Sequence, residues 1–150
     1  MPPVANTPAR AVAAGLGRRS VAKFLDALIV GLPLAGVRTL AGLDADAYLF
    51  AVVQAVAFLT YGALMESSTG ATLGKRALKL TVRTESGTPP DLRAAIIRNL
   101  YWAFQVIPPP ALGDALSLAA WLGIAVSISA FDRHRGYHDH LAGTWVVHTA

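Results

Sequence analysis

The chain has 150 residues, 54% of them hydrophobic and only 15% charged, with a formal net charge of +4. That balance, with a mean hydropathy of +0.47 spread over several separate apolar runs, excludes an ordinary water-soluble domain and calls for membrane spans. Cysteine is absent, which excludes a disulfide framework, a thiolate metal site and a thiol nucleophile.

Met1 to Gly17, rich in Ala, Pro and Gly, reads as a flexible tail and leaves 18–150 as one membrane domain. The basic pair Arg18-Arg19 precedes an apolar run, as in a signal peptide or a twin-arginine signal. Asp26 interrupts the run and Ser20-Val21-Ala22-Lys23 does not suit an export signal, so the helix is expected to stay in place. Val21 to Leu40 meets the requirement of about 20 residues for a spanning helix, with Gly31, Pro33, Ala35 and Gly36 permitting a kink and close packing. After the polar connection Arg38 to Asp46, Ala47 to Met65 forms a second span, closed by Glu66. Its polar members Gln54 and Tyr61 stand seven apart, on one face expected to look into the bundle.

Ser67 to Asn99 carries Lys75, Arg76, Lys79, Arg83, Arg93 and Arg98, an excess that belongs in the cytoplasm. Leu78, Leu80 and Val82 alternate with Lys79, Thr81 and Arg83 as in a strand, turned at Glu85-Ser86-Gly87. Asp91 starts a helix over Leu92 to Ile107, basic first and aromatic later, which Pro108-Pro109-Pro110 must end. Ala111 to Phe131 is a further span, and Gly143 to His148 is a strand able to pair with Leu78 to Val82. Counting Lys and Arg across the connections, only four membrane elements in two helical hairpins put every basic segment on one side. The expected fold is therefore an all-α membrane bundle with a small cytoplasmic strand pair and both termini in the cytoplasm. Because the basic residues flank apolar runs, their expected partners are the bilayer and its anionic headgroups, and no nucleic acid is expected.

Arg19, Lys23 and Asp26 lie at i, i+4 and i+7 on one helix face, and Asp26 sits roughly 10 Å further along the axis, inside a hydrocarbon core about 30 Å thick. A bare carboxylate there costs at least ~2.5–3.5 kcal/mol, so it must pair or protonate, with Lys23 the nearest local partner. A satisfied ion pair that locks packing is preferred over a proton or cation site. Near the end, Asp132, His134, Arg135, His138, Asp139 and His140 cluster in FDRHRGYHDHLAGT. Gly136 disfavours one helix through His134 and His138, so no metal is expected, and lipid contact is preferred over a pH-responsive cluster. GATLGKR fails the phosphate-loop pattern at Thr69 and Arg76, and no Ser-His-Asp arrangement is specified. No cofactor and no enzymatic activity are expected.

These residues carry a resemblance. RRSVAKFLD at Arg18 to Asp26, GATLGKRALKLTVRTESG, LRAAIIRNL and HRGYHDHLAGTWVV, in this order, resemble the RDD family of small membrane proteins, named for one arginine and two aspartates. Leu73 stands where a proline is common. The resemblance makes Arg18 or Arg19 the arginine, Asp26 the first aspartate and Asp139, with Asp132 as rival, the second. It implies an inner-membrane protein without enzymatic activity, ion antiport having been proposed for some members. The expected function is an accessory or scaffolding protein acting through helix contacts with itself or a larger complex; the alternative is a proton or cation transporter using Asp26. The candidate buried-charge or ion site is thus Arg18, Arg19, Lys23, Asp26 and Asp139, with Asp132, Arg135, His138, Gln54 and Tyr61 as secondary members.

Overall fold

A computed structural model describes residues 12–42, 46–130 and 134–149. Helix predominates, and among the described residues three helices are long and apolar enough to cross a membrane: α1 (Leu16–Leu40), α2 (Ala47–Thr69) and α5 (Pro110–Ala130). Between them stand α3 (Leu73–Ala77), β1 (Leu80–Thr84), α4 (Leu92–Asn99) and a 3-10 run (Leu100–Val106), and α6 (Tyr137–Leu141) and β2 (Thr144–His148) close the chain.

Local chemistry sets several of these boundaries. Asp46 caps α2 by accepting from Leu49 N at 2.8 Å, and Asp91 caps α4 by accepting from Ala94 N at 2.7 Å, each satisfying a first-turn amide. Gly70 ends α2 in the left-handed region (φ +77°), where its N–H reaches Glu66 O at 2.9 Å. The first helix begins at Leu16, earlier than Val21, because the residues before it are held by the sheet. Ala13 bridges Val147 and Ala14 N donates to Val146 O at 2.9 Å. Val12 to Gly17, part of the expected tail, is thus held in place; the tail's first eleven residues lie outside the described part.

The two predicted strands pair antiparallel, with Val82 opposite Val146 and Arg83 opposite Trp145. Strand β1 starts two residues later than its alternation suggested, since Lys79 turns the chain with φ +55° after α3. Its apolar face, Leu80 and Val82, packs with Val146, Ala14 and Ala22 in the core that joins the sheet to the start of α1.

Leu92 to Ile107 is not one α-helix. Pro108, Pro109 and Pro110 have no N–H, so the carbonyls of Phe104, Gln105 and Val106 lose their α-helical donors, and the chain tightens to i+3 bonding. Ile107 N donates to Phe104 O at 3.0 Å, and Tyr48 Oη, at the opposite end of α2 from Glu66, donates to Val106 O at 3.0 Å. The segment runs antiparallel along α2: Arg98 meets Glu66, Trp102 stacks on Phe58 with centroids 4.2 Å apart, and Val106 meets Tyr48. With rises of about 1.5 Å per residue in α4 and about 2.0 Å in the 3-10 run, it is about 26 Å long.

Candidate functional site

Where the start of α1, the ends of α2 and α4 and the short helix α6 converge, charged groups meet in the interior. Arg98, 2% exposed, is the hub. Its Nε donates to Glu66 Oε2 at 2.8 Å, and its Nη1 donates to Asp139 Oδ1 and, at 2.5 Å, to Thr144 Oγ1. Arg19 donates to Asp139 Oδ2 and to the carbonyl of His134 at 2.7 Å, and Lys75 donates to Glu66 Oε1. Each of the two carboxylates therefore holds two cations, and one arginine bridges both. Pairing of this kind is the condition under which charge can be buried at all. Asp139 also accepts from Gly136 N at 3.0 Å, which fixes the first turn of α6.

Protonation follows from these surroundings. Burial by itself would raise the Asp139 carboxyl, but Arg98 and Arg19 outweigh it and hold the group well below the usual carboxylate range. Burial pushes His138 down to about 3, although Asp139 beside it pulls the other way, so its imidazole is neutral near pH 7. Lys75 is lowered to about 8 by burial, which the attraction of Glu66 only partly offsets.

Asp26 forms a separate node. Tyr61 Oη and Gly74 N donate to its Oδ1 at 2.7 and 2.8 Å, and Thr72 Oγ1 donates to Oδ2 at 2.7 Å. Tyr61 in turn accepts from Leu73 N at 2.9 Å. The carboxylate thus ties α1 to α3 and α2. Gly74 is required here, because a Cβ at this position falls 2.1 Å from Ala22 O and 2.9 Å from Asp26 Oδ1.

A family model described as the RDD family matches residues 13–143. The chain belongs to the RDD family of small membrane proteins. No curated protein and no solved structure matches it.

In this RDD protein the candidate residues separate. Arg18 is exposed and Arg19 buried, which makes Arg19 the paired arginine. Asp26 makes no ion pair with Arg19 or Lys23 among the described residues: the helix spacing that lines them up leaves Asp26 turned to α3, while Arg19 reaches Asp139, 120 positions away, and Lys23 Nζ donates to Asn99 Oδ1 at 3.3 Å. Asp132 lies outside the described residues. Arg135 donates from Nε to Thr144 O at 3.0 Å and approaches Glu85 at 3.7 Å. Tyr61 faces the interior as expected, but half-buried Gln54 takes no part in either node. His138 stands beside Asp139, its Nε2 3.4 Å from Oδ1. Among the described residues, no group of three or more acidic or histidine side chains is placed to hold a metal ion.

Sequence reasoning missed Glu66, Lys75 and Arg98 as network members, having read the two cations as part of a solvated basic insert. A signal for Glu66 was present: a single acid at the end of an apolar span, like Asp26, requires a partner.

Proposed function

We propose that this RDD protein is a polytopic protein of the inner membrane, with both termini cytoplasmic, that works without catalysis as an accessory or scaffolding component through helix contacts with itself or a larger complex. The observation that carries this reading is that the buried acids are already occupied. Glu66 and Asp139 each hold two cations, and three donors converge on Asp26. An ion-loading carboxylate needs free oxygen lone pairs at the moment of loading; these groups commit most of theirs to joining elements. What the protein turns outward is apolar, including Phe24 and Leu32 of α1, Val56 and Leu64 of α2 and Leu118 and Val126 of α5, suited to lipid and to other helices.

Four membrane elements fit best. The Leu92–Val106 segment meets α2 near both of its ends and is about 26 Å long against a hydrocarbon core of about 30 Å. A fourth crossing leaves Arg18 and Arg19, the basic insert and Arg135 on one side, as the positive-inside rule demands. Purification in mild detergent with identification of accompanying proteins, run beside a flux assay of the isolated protein in liposomes, tests the reading. Co-purification with a membrane complex or self-association, without flux, is expected. Proton-coupled cation flux by the protein alone, lost in a folded Asp26→Asn variant, overturns it in favour of transport.

A further inference from the structure

We propose that the crevice between the start of α1 and the last turns of α5 is a binding site for a phosphate oxyanion, carried by an anionic phospholipid headgroup or free in solution. The inference rests on α1 and α5 lying in the membrane and is independent of the accessory role. Three observations carry it.

The first is charge balance. Arg19, Lys23, Lys75 and Arg98 line the crevice, whereas the network contains two carboxylates, Glu66 and Asp139. Even counting Asp26, bonded to α3, one positive charge is left over among the described residues. That charge is Lys23, which has no carboxylate within ion-pair distance among the described residues; its contacts are Asn99 Oδ1 at 3.3 Å and the Tyr101 ring at 5.4 Å. An uncompensated ammonium inside a bundle is costly, and a bound anion removes the cost.

The second is an unused donor. Tyr101 lines the same crevice, and its buried Oη–H donates to no acceptor among the described residues. A phenol beside an ammonium is a pair of donors seeking an oxygen-rich acceptor.

The third is size and surroundings. The free space is about 40 Å³, roughly three water molecules' worth and on the scale of the oxygens of one phosphate group. Across from the cations, Trp121 and Ile124 of α5 form an apolar wall, with Trp121 39% exposed. A headgroup at Lys23 therefore has an apolar surface for its acyl chain beside it.

The test uses the full-length protein in micelles of a neutral detergent, its thermal unfolding midpoint followed during titration with phosphatidylglycerol, phosphatidylcholine or inorganic phosphate. A saturable rise with phosphatidylglycerol and none with phosphatidylcholine is expected. Lys23→Gln should weaken the apparent affinity at least ~10-fold, the loss of a charge-assisted contact, while Lys23→Arg retains most of it. Arg93→Gln, at an exposed basic position away from the crevice, should bind as the parent does. A comparable saturable rise with inorganic phosphate assigns the site to the free anion. No saturable response of the parent protein to either anion overturns the proposal, as does an equal loss in Arg93→Gln, which marks diffuse surface attraction.

Discussion

Asp139 is 0% exposed, and both of its oxygens are taken by arginines from different elements, so its loss strips compensation from two buried cations at once. Asp139→Asn leaves Arg19 buried with no carboxylate partner among the described residues and Arg98 with Glu66 alone, and breaking a buried pair from one side costs about 3–5 kcal/mol. Reversible denaturant unfolding in micelles should show that loss, and a double-mutant cycle with Arg19→Gln should show coupling well above that of an exposed pair. Asp26→Asn should cost less, about 1–3 kcal/mol, because its partners are neutral donors. Neutralising Lys23 should not restore it, since the two do not pair. His138 makes stability depend on pH. Its folded pKa, about 3, lies below the ordinary 6.5, so the unfolded chain binds the extra proton. Its contribution is complete above about 6.5 and drains away as pH falls toward 3, reaching about 2 kcal/mol lost at pH 5. His138→Gln should flatten the unfolding midpoint between pH 7 and 5. Asp139 adds nothing in that window, because its own loss begins only below the ordinary carboxylate value.

Glycines set how closely the elements approach. A Cβ at Gly74 meets the backbone of α1 at Ala22 O, 2.1 Å away, whereas one at Gly62 meets the Asn99 side chain at 2.6 Å, and one at Gly123 meets nothing within 4 Å. Backbone cannot yield as a side-chain amide can, so thermal midpoints should fall most for Gly74→Ala, less for Gly62→Ala and hardly at all for Gly123→Ala. Overpacking of this sort costs about 1–3 kcal/mol and occasionally more. The sheet is tested by register. In this cysteine-free chain, cysteines at Arg83 and Trp145, which stand opposite each other, should oxidise to a disulfide, while the pair at Arg83 and Val146 should not. Efficient closure of the second pair alone would mean the register is shifted by one residue.

At the scale of the whole molecule, the sheet constrains topology without reference to charge. Because β1 pairs with β2, the turn at Ser86 and the end of the chain at Thr149 must lie on one side of the membrane. The connection after α1 lies at the other end of that helix. Single cysteines at Ser86 and Thr149 should both resist an impermeant thiol reagent in intact cells, and one at Ala41 should react; all three positions are exposed. Labelling at Thr149 with protection at Ser86 would break the four-element arrangement.

Composition and the length of the apolar runs determined a membrane protein with three helices long and apolar enough to cross, because a bilayer imposes about 20 apolar residues on any spanning helix wherever the chain goes next. Period-two alternation near Leu80 and Val82 located β1 within two residues, since it follows from which face is buried. The partnership of the charges was not legible. Helix spacing places Arg19, Lys23 and Asp26 together, but a shared face does not say which element packs against it: Asp26 turned to the hydroxyls and amide around α3, and Arg19 crossed to Asp139. Arg98 looked like one more cytoplasmic cation until the fold brought Glu66, Asp139 and Thr144 around it. Local pattern specifies faces and lengths. Only the tertiary packing of α1, α2, α4 and α6 decides which buried charge meets which, because those contacts join residues 32 to 120 positions apart.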